Sequence, residues 1–389
     1  MYYIEKGDSN LHRKKTWQFL GFSLVMLVMG YGMSMHASAA PRQRKDYNVL
    51  IIHSYSQDYL WTKNIQQGLE AGLAKTGLSV NSNVEYLDTK NHFTYAYLQQ
   101  MRTVFRAKYA DKNFDLIIVS DNDALNFIID LKKQMFQQVP VVAIGVNKGS
   151  ILPAGIKNMH ILIENMQIDK TLDLALQQHR KAKKLYVIND KTTTGQIVEE
   201  SVHSFELQHP ELQFIYLDTS DFGGVLNILQ QADRHDICYL GLYFDPQVLP
   251  FYDYLQIVDQ IAASSNIPVY VSCDFYVRGN IIGGVVGRGY LYGLKGGQVA
   301  GEVLQGDKII STMVPSDTNQ YMFSYPGLKN FSIQEKQLPP EAIIINKPVY
   351  CYTLCKAVIT IFSTAMVILL SIWLHLRRRR RKMQHAGRI

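Results

Sequence analysis

The stretch VLIIHSYSQDYLWTKNIQQGLEAGL, residues 49–73, shows the unit from which the fold is built. Its first four residues, Val49–Ile52, are all apolar, which is typical of a short strand covered on both faces of a sheet. From Trp61 to Leu73 the apolar residues recur every three or four positions instead, which predicts an amphipathic helix. A buried strand that leads directly into a helix is the repeating unit of a parallel α/β protein.

The same alternation recurs along the middle of the chain. Further apolar runs predict strands at Leu116–Val119, Val141–Ile144, Leu185–Ile188, Ile237–Tyr243 and Pro268–Val271. Amphipathic stretches predict helices at Tyr97–Tyr109, Ile168–Gln178, Ile197–Leu207 and Val248–Ala263. The fold class is therefore α/β and doubly wound. Some ten to twelve strands would be too many for one compact sheet of this length, so we expect two lobes that divide near residues 160–170.

Polar and aromatic residues cluster directly after the carboxyl ends of these strands. In open α/β sheets, ligands bind in the crevice beyond those ends. The candidate ligand-binding residues are His53, Ser54, Tyr55, Trp61, Ser120, Asp121, Asn122, Asn147, Thr192, Thr193, Thr194, Tyr243, Asp274, Phe275 and Tyr276. Helix capping, which uses the same hydroxyl, amide and carboxyl side chains, is the alternative role for each of them taken singly.

The positive charge of the chain lies in its two ends. Residues 1–45 carry a net charge of +5 and residues 376–389 one of +7, which leaves −5 for the 330 residues between them. A mildly acidic main body argues against a nucleic-acid-binding surface.

Two apolar segments predict where the chain resides. Trp17–Met35 has 19 residues without a formal charge, and Ala357–Leu374 has 18 followed by the basic run Arg377–Lys382. Each approaches the roughly 20 residues that a helix needs to cross a membrane. Basic flanks stay in the cytoplasm, so the main body is expected outside it. The first segment is either a retained membrane helix or a cleaved signal peptide, because Ala37-Ser38-Ala39 resembles a cleavage site.

These segments define the domain plan. We expect a cytoplasmic N-terminus at 1–16, a transmembrane helix or signal peptide at 17–36, and a periplasmic domain at 46–348. A transmembrane helix at 353–376 and a basic cytoplasmic tail at 377–389 follow. In a bacterium, this places the protein in the inner membrane with its main domain in the periplasm.

The sequence lacks the common motifs for catalysis, metal binding and phosphate binding. It contains no His-Glu-x-x-His, no paired CxxC and no phosphate loop, so we expect no enzyme, no catalytic residue, no metal and no cofactor. The glycines between Gly283 and Gly293 lack dinucleotide-binding spacing and are interpreted as turns and close packing. Cys238 and Cys273 are expected to be buried free thiols. Cys351 and Cys355 would either cross-link a homodimer or pack against a neighbouring helix.

Several motifs together resemble a known family. They are residues 49–73, IIVSDNDAL from Ile117, CDFYVRGNIIGGVVGRGYLYG from Cys273, GGQVAGEVLQGDK from Gly296, and the stretch from Tyr321 to Pro348. They resemble the periplasmic ABC-transporter substrate-binding-protein-like family, in the version used as the extracytoplasmic sensor of histidine kinases and diguanylate cyclases. The resemblance implies a type I periplasmic-binding-protein fold, with the chain returning between the lobes after about residue 275. It also implies a small-molecule ligand, such as an amino acid or another small polar or aromatic metabolite, in the cleft.

The sequence departs from that sensor pattern after the second apolar segment. Only 13 residues follow Leu376, too few for a cyclase or kinase domain. We therefore expect a membrane-anchored sensor whose output module is missing by truncation or is supplied by a cytoplasmic or membrane signalling partner. The alternative is a membrane-tethered substrate-binding component that works with an ABC permease.

Overall fold

Residues 45–148, 158–244, 254–306, 318–348 and 352–386 are described by the structure, which is a computed structural model. Several predictions lie outside these residues, namely the segments at 1–16 and 17–36, Cys351, the first part of the helix Val248–Ala263 and the last three residues of the tail.

Twelve strands in the described residues form two sheets. The first five strands are β1 (Asp46–His53), β2 (Ser79–Tyr86), β3 (Leu116–Ser120), β4 (Val141–Asn147) and β5 (Met159–Glu164). They form a wholly parallel sheet in the order β2-β1-β3-β4-β5. The other seven are β6 (Lys184–Ile188), β7 (Gln213–Tyr216), β8 (Ile237–Leu240), β9 (Val269–Val271), β10 (Gly283–Gly287), β11 (Asn319–Ser324) and β12 (Ile343–Ile345). They form a second sheet in the order β12-β11-β10-β9-β8-β6-β7, in which only β10 and β11 pair antiparallel.

Helices cover both faces of each sheet. They are α1 (Leu60–Lys75), α2 (Tyr95–Tyr109), α3 (Asp121–Lys132), α4 (Ile168–Gln178), α5 (Thr193–Glu206), α6 (Phe222–Gln231), α7 (Tyr254–Ser264), α8 (Gly289–Leu304), α9 (Tyr325–Asn330) and α10 (Tyr352–Ala386). In β1, Val49 and Ile51 pack towards α1, whereas Leu50 and Ile52 face the side of α2 and α3. The mixed α/β fold with parallel sheets is therefore confirmed, and β1, β3 and β4, at the centre of the first sheet, are buried along their apolar runs.

Every apolar run that predicted a strand contains one. The run Ile237–Tyr243 is shorter as a strand, since β8 ends at Leu240. The sequence did not single out β2, β5, β7 or β10 as strands. In β2 and β7 most positions are exposed or half-buried at the edge of their sheet, so they lack the continuous apolar signal of a central strand.

The chain passes between the two lobes more than once. Each lobe is one of the sheets with the helices packed on it. The first sheet ends at Glu164, and α4, the first helix of the second lobe, begins at Ile168. After β10 the chain returns to the first lobe, where α8 packs on α1 and β4. It then enters the second sheet again at β11.

Glycines hold α8 close to α1. A Cβ atom added to Gly293 would lie 2.0 Å from the carbonyl oxygen of Ile65, and one added to Gly68 would lie 2.0 Å from that of Tyr290. Close packing is thus confirmed as the role of this glycine-rich stretch. The prediction of turns is wrong, because the residues form strand β10 and the start of α8. This close packing of α8 on α1 holds Tyr292 of α8 beside Trp61 at the start of α1, with ring centroids 5.9 Å apart.

The last helix, α10, is fully exposed where its side chains are described. Within it, Cys355–Arg381 is long and apolar enough to cross a membrane, and it is the one such helix found among the described residues. Three residues, Asn346–Pro348, separate strand β12 from the undescribed residues 349–351 that precede this helix.

Candidate functional site

Two adjoining spaces lie between the lobes, beyond the carboxyl ends of β1, β3 and β4. The inner cavity has a volume of about 30 Å³, the space of a single water molecule. It is lined by Tyr55, Tyr59, Trp61, Lys90, Asp121, Asn147, Glu164, Met166, Thr194, Leu242, Cys273 and Phe275. The outer chamber, of about 370 Å³, shares Tyr55, Lys90 and Thr194 with it and is large enough for a small metabolite. Its other lining residues include Thr89, Asn122, Asp123, Thr192, Thr193 and Phe244.

Aromatic side chains from both lobes close the inner end. Tyr59 of the first lobe lies 4.8 Å from Tyr254 and 5.7 Å from Phe275 of the second, measured between ring centroids. The hydroxyl of Tyr254 accepts a hydrogen bond from the backbone N–H of Leu60 at 2.9 Å. The two lobes are therefore in direct contact, which explains why the inner cavity is small.

Lys90 reaches into this aromatic cluster from the loop after β2. Its Nζ lies 4.7 Å from the ring centroid of Tyr55, 5.3 Å from that of Tyr59 and 5.1 Å from that of Phe244. These distances are those of cation–π contacts. Burial lowers the pKa of the Lys90 ammonium, and the nearby carboxylate of Asp190 acts against that effect.

Asp121 begins α3 in a conformation that few non-glycine residues adopt, with φ of 67°. Its Oδ1 accepts a hydrogen bond from Trp61 Nε1 at 2.8 Å. The pair fits beneath Gly145, where an added Cβ atom would lie 3.3 Å from Asp121 Oδ1. The other oxygen, Oδ2, is buried and has no hydrogen-bond partner among the described residues. Burial raises the pKa of Asp121 to about 7.

Glu164 supplies a second buried carboxyl group at the end of β5. Its Oε2 accepts a hydrogen bond from the side-chain amide of Asn147 at 3.0 Å, and the backbone N–H of Asn147 donates in turn to Asn122 Oδ1. Burial, followed by repulsion from Asp121 and Asp274, raises the pKa of Glu164 to about 8. The carboxyl groups of the cleft are therefore held where ionisation is costly unless a cation enters.

Most of the residues predicted from the sequence meet in these two spaces. The structure brings together Tyr55, Trp61, Asp121, Asn122, Asn147, Thr192, Thr193, Thr194 and Phe275. Thr192 both lines the outer chamber and caps α5, because its hydroxyl accepts a hydrogen bond from Gly195 N–H.

Three predicted residues lie behind the cleft and not on its surface. His53 is enclosed by a hydrogen bond to Gln66 on α1 at 2.8 Å, another to Ser120 at 2.9 Å, and a stacked ring contact with Tyr86. The hydroxyl of Ser54 donates to the carbonyl oxygen of Ser120 and accepts from Ala124 N–H. Capping and packing account for these side chains, which line neither space.

The remaining three predicted residues support the cleft from the second lobe. Tyr243 donates its hydroxyl proton to the carbonyl oxygen of Thr219, and Tyr276 accepts a hydrogen bond from Tyr243 N–H. Asp274 lies beside Arg288, and burial raises its pKa to about 6. None of the three lines the inner cavity or the outer chamber.

The residues of the site that were not predicted include Tyr59, Lys90 and Glu164. Lys90 follows the carboxyl end of β2 as the predicted residues follow other strands, so the rule that found them applies to it once β2 is recognised. Glu164 ends β5, and the apolar residues Ile161–Ile163 that precede it are a sequence signal for a strand.

The described residues hold no group of three or more histidine, cysteine or acidic side chains placed to bind a metal ion. Cys238 and Cys273 are buried free thiols, as expected from the sequence, and Cys355 is free and exposed.

Comparison with solved structures shows the fold. The structure resembles a conserved domain protein from Vibrio cholerae O1 biovar El Tor, with 15% identity, a TM-score of 0.57 and coverage of 77% of this chain and 99% of the other. It also resembles an ABC domain from Streptococcus pneumoniae in complex with L-Trp, with 13% identity, a TM-score of 0.55 and coverage of 77% and 100%. A ligand-free, open substrate-binding protein with adhesive properties from Clostridium difficile matches with 16% identity, a TM-score of 0.57 and coverage of 78% and 100%.

These likenesses establish a type I periplasmic-binding-protein-like fold, which substrate-binding proteins share. No family model matches the chain, and no curated protein matches its sequence.

Proposed function

We propose that this protein is a membrane-anchored extracytoplasmic receptor that binds a small molecule between its two lobes. The observation that carries the proposal is the pair of spaces lined from both lobes by aromatic rings, hydroxyl groups and buried carboxyl groups. A surface built in two halves binds best when the lobes are closed, so a ligand stabilises the closed form by its preference for that form over the open one.

The connections to the two apolar segments suggest how closure would be transmitted. The segment Trp17–Met35 precedes β1 of the first lobe, whereas α10 follows β12 of the second lobe within seven residues. If both segments lie in the membrane, each lobe is tied to a different one. A movement of one lobe against the other then shifts one membrane helix against the other, and a separate signalling partner would read that shift.

Ligand binding is tested on the full chain in detergent. A panel of amino acids, amines, sugars and purines is screened by thermal unfolding, and bound compounds are identified by native mass spectrometry. We expect at least one compound to raise the melting temperature. Thr194→Trp, which fills the cleft at the first turn of α5, should abolish that increase, whereas Gln196→Trp, on the exposed side of the same helix, should leave it unchanged.

Binding that survives Thr194→Trp would place the ligand elsewhere and contradict the proposed site. Absence of any binding compound, in the panel and in the protein as purified, would contradict the receptor function itself.

The membrane arrangement is tested by labelling in intact spheroplasts. In a variant with Cys351 and Cys355 changed to serine, Leu207→Cys presents a thiol at a position that is 86% exposed on the second lobe. We expect a membrane-impermeant maleimide to label it without lysis. An otherwise identical variant with Arg388→Cys should be labelled only after lysis, and the reverse pattern would refute the topology.

A further inference from the structure

The inner cleft carries more negative than positive groups. Asp121 and Glu164 both line the inner cavity, and 4% and 7% of their respective surfaces are exposed. Asp123 lines the outer chamber next to them. Against these three carboxyl groups, Lys90 is the cation that both spaces share.

The two inner carboxyl groups have acceptor capacity that the protein does not use. Asp121 Oδ2 is buried without a hydrogen-bond partner, and Glu164 Oε1 accepts no hydrogen bond within the described residues. Buried acceptors are nearly always paired in folded proteins, and the left-handed backbone of Asp121 adds strain at the same residue. A cation that enters beside these groups favours their ionised forms, and an ionised carboxylate only accepts hydrogen bonds, so the partner that suits Asp121 Oδ2 best is a charged donor.

Lys90 shows what kind of donor the site accommodates. It presents an alkyl chain with a terminal ammonium group to the rings of Tyr55, Tyr59 and Phe244. The described residues give that ammonium no hydrogen bond and no ion pair within 4.0 Å, so the rings and more distant carboxylates hold it. A side chain held in this way is displaced at little cost by a second ammonium that also reaches Asp121.

We propose, on the premise that the cleft is a ligand site, that its ligand is an organic cation: an amine with a protonated nitrogen, an apolar ring and no carboxylate. The nitrogen occupies the inner end, between Asp121 Oδ2 and Glu164 and against Tyr59. The ring lies in the outer chamber, whose volume of about 370 Å³ suits a molecule of this size. The side chain of Lys90 moves away from the rings of Tyr55, Tyr59 and Phe244 when the ligand enters.

A zwitterionic amino acid is the competing ligand class. In that case Lys90 stays in place and pairs with the ligand's carboxylate. The two classes predict opposite effects for the loss of the Lys90 charge, which makes the choice between them measurable.

The experiment compares three charge forms of the same ring on the full chain in detergent. Phenethylamine, phenylalanine and 3-phenylpropionate carry an ammonium group, both charged groups and a carboxylate, respectively. The corresponding hydroxyphenyl and indole compounds extend the comparison to larger rings. Binding is followed by calorimetry and by Trp61 fluorescence in a Trp17→Phe/Trp373→Phe background. In at least one ring series we expect the amine to bind about tenfold or more tightly than the amino acid, with no binding of the acid.

Two variants sharpen the result. Asp121→Asn keeps an acceptor for Trp61 and a residue that tolerates positive φ, and it should weaken amine binding at least about tenfold. Lys90→Met keeps the length of the chain but removes the competing charge, so it should strengthen amine binding. Lys63→Met, which removes a charge from the exposed face of α1 and lines neither space, should leave amine binding unchanged.

Tighter binding of the amino acid or the acid than of the amine, together with weaker binding in Lys90→Met, would overturn the inference and leave the receptor function standing. The same holds if only compounds without a protonated nitrogen bind. If no compound of any charge binds and none accompanies the purified protein, the receptor function itself is refuted, and the inference about its ligand is refuted with it.

Discussion

Two groups of polar residues lie side by side at the carboxyl edge of the first sheet, and they differ in how their hydrogen bonds are satisfied. In the first group, His53, Ser54 and Ser120, the ring nitrogens and the hydroxyls that form it have partners at 2.6 to 2.9 Å. In the second, Asp121 is buried with its Oδ2 lacking a partner, and Glu164 uses only one oxygen, Oε2, for its hydrogen bond to Asn147 within the described residues. Burial is thus common to both groups, and what sets Asp121 apart is an acceptor without a partner on a residue that also lines the cleft.

The two groups also impose opposite pH dependences on the empty protein. Burial lowers the pKa of His53 to about 4, so the unfolded chain takes up a proton first as the pH falls below 6.5, and stability is lost from there towards pH 4. Glu164, with its pKa raised from 4.5 to about 8, keeps its proton in the folded state while the unfolded chain has released it. Its contribution to stability therefore declines as the pH rises from about 4.5 to 8.

The largest expected change in stability is in the first group, whose hydrogen bonds are all made. His53→Ala leaves a cavity in the sheet edge and removes the partners of Gln66 and Ser120, so it should lower the free energy of unfolding by about 3 kcal/mol. Urea unfolding of the full chain in detergent, followed by far-ultraviolet circular dichroism, measures this loss. His203→Ala, at an exposed position on α5, serves as the control with an expected change below about 0.5 kcal/mol.

The folded fraction of His53→Ala should bind the amine with the same affinity as the parent protein, because His53 does not line the cleft. If His53→Ala binds the amine more weakly but is as stable as the parent, His53 is a ligand-binding residue and not a structural one.

A smaller effect of opposite sign is expected in the second group. Glu164→Gln keeps an acceptor for Asn147 but removes the buried charge, so at pH 8 it should raise the free energy of unfolding of the empty protein by about 1 to 2 kcal/mol. At pH 5, where the native carboxyl group is already protonated, the variant and the parent should be nearly equal.

Unfolding curves at the two pH values test this change, with Glu302→Gln on the exposed face of α8 as the matched control. A Glu164→Gln protein that is less stable than the parent at pH 8 would show that the carboxylate has a satisfying partner in the folded state. The site would then resemble the first group, and the basis for a cationic ligand would be lost.

Local patterns in the amino-acid sequence account for the strands, the helices and the general position of the cleft. Continuous apolar runs such as Val49–Ile52 require strands covered on both faces, and those strands require helices on both sides of a parallel sheet. The rule that ligands bind beyond strand ends located the loops at Tyr55, Asp121 and Asn147 that line the cleft. These results depend on periodicity and chain order, which a single sequence records.

Which of the polar residues at those strand ends face the cleft depends on how the folded chain packs around them. Neighbours such as Ser120 and Asp121 read alike in the sequence, but one side chain points back to His53 and the other reaches Trp61. Lys90 and Glu164 join Asp121 through the packing of three strands that are distant in sequence. The physical reason is that side-chain direction and hydrogen-bond satisfaction depend on neighbours that folding supplies, and no local pattern encodes them.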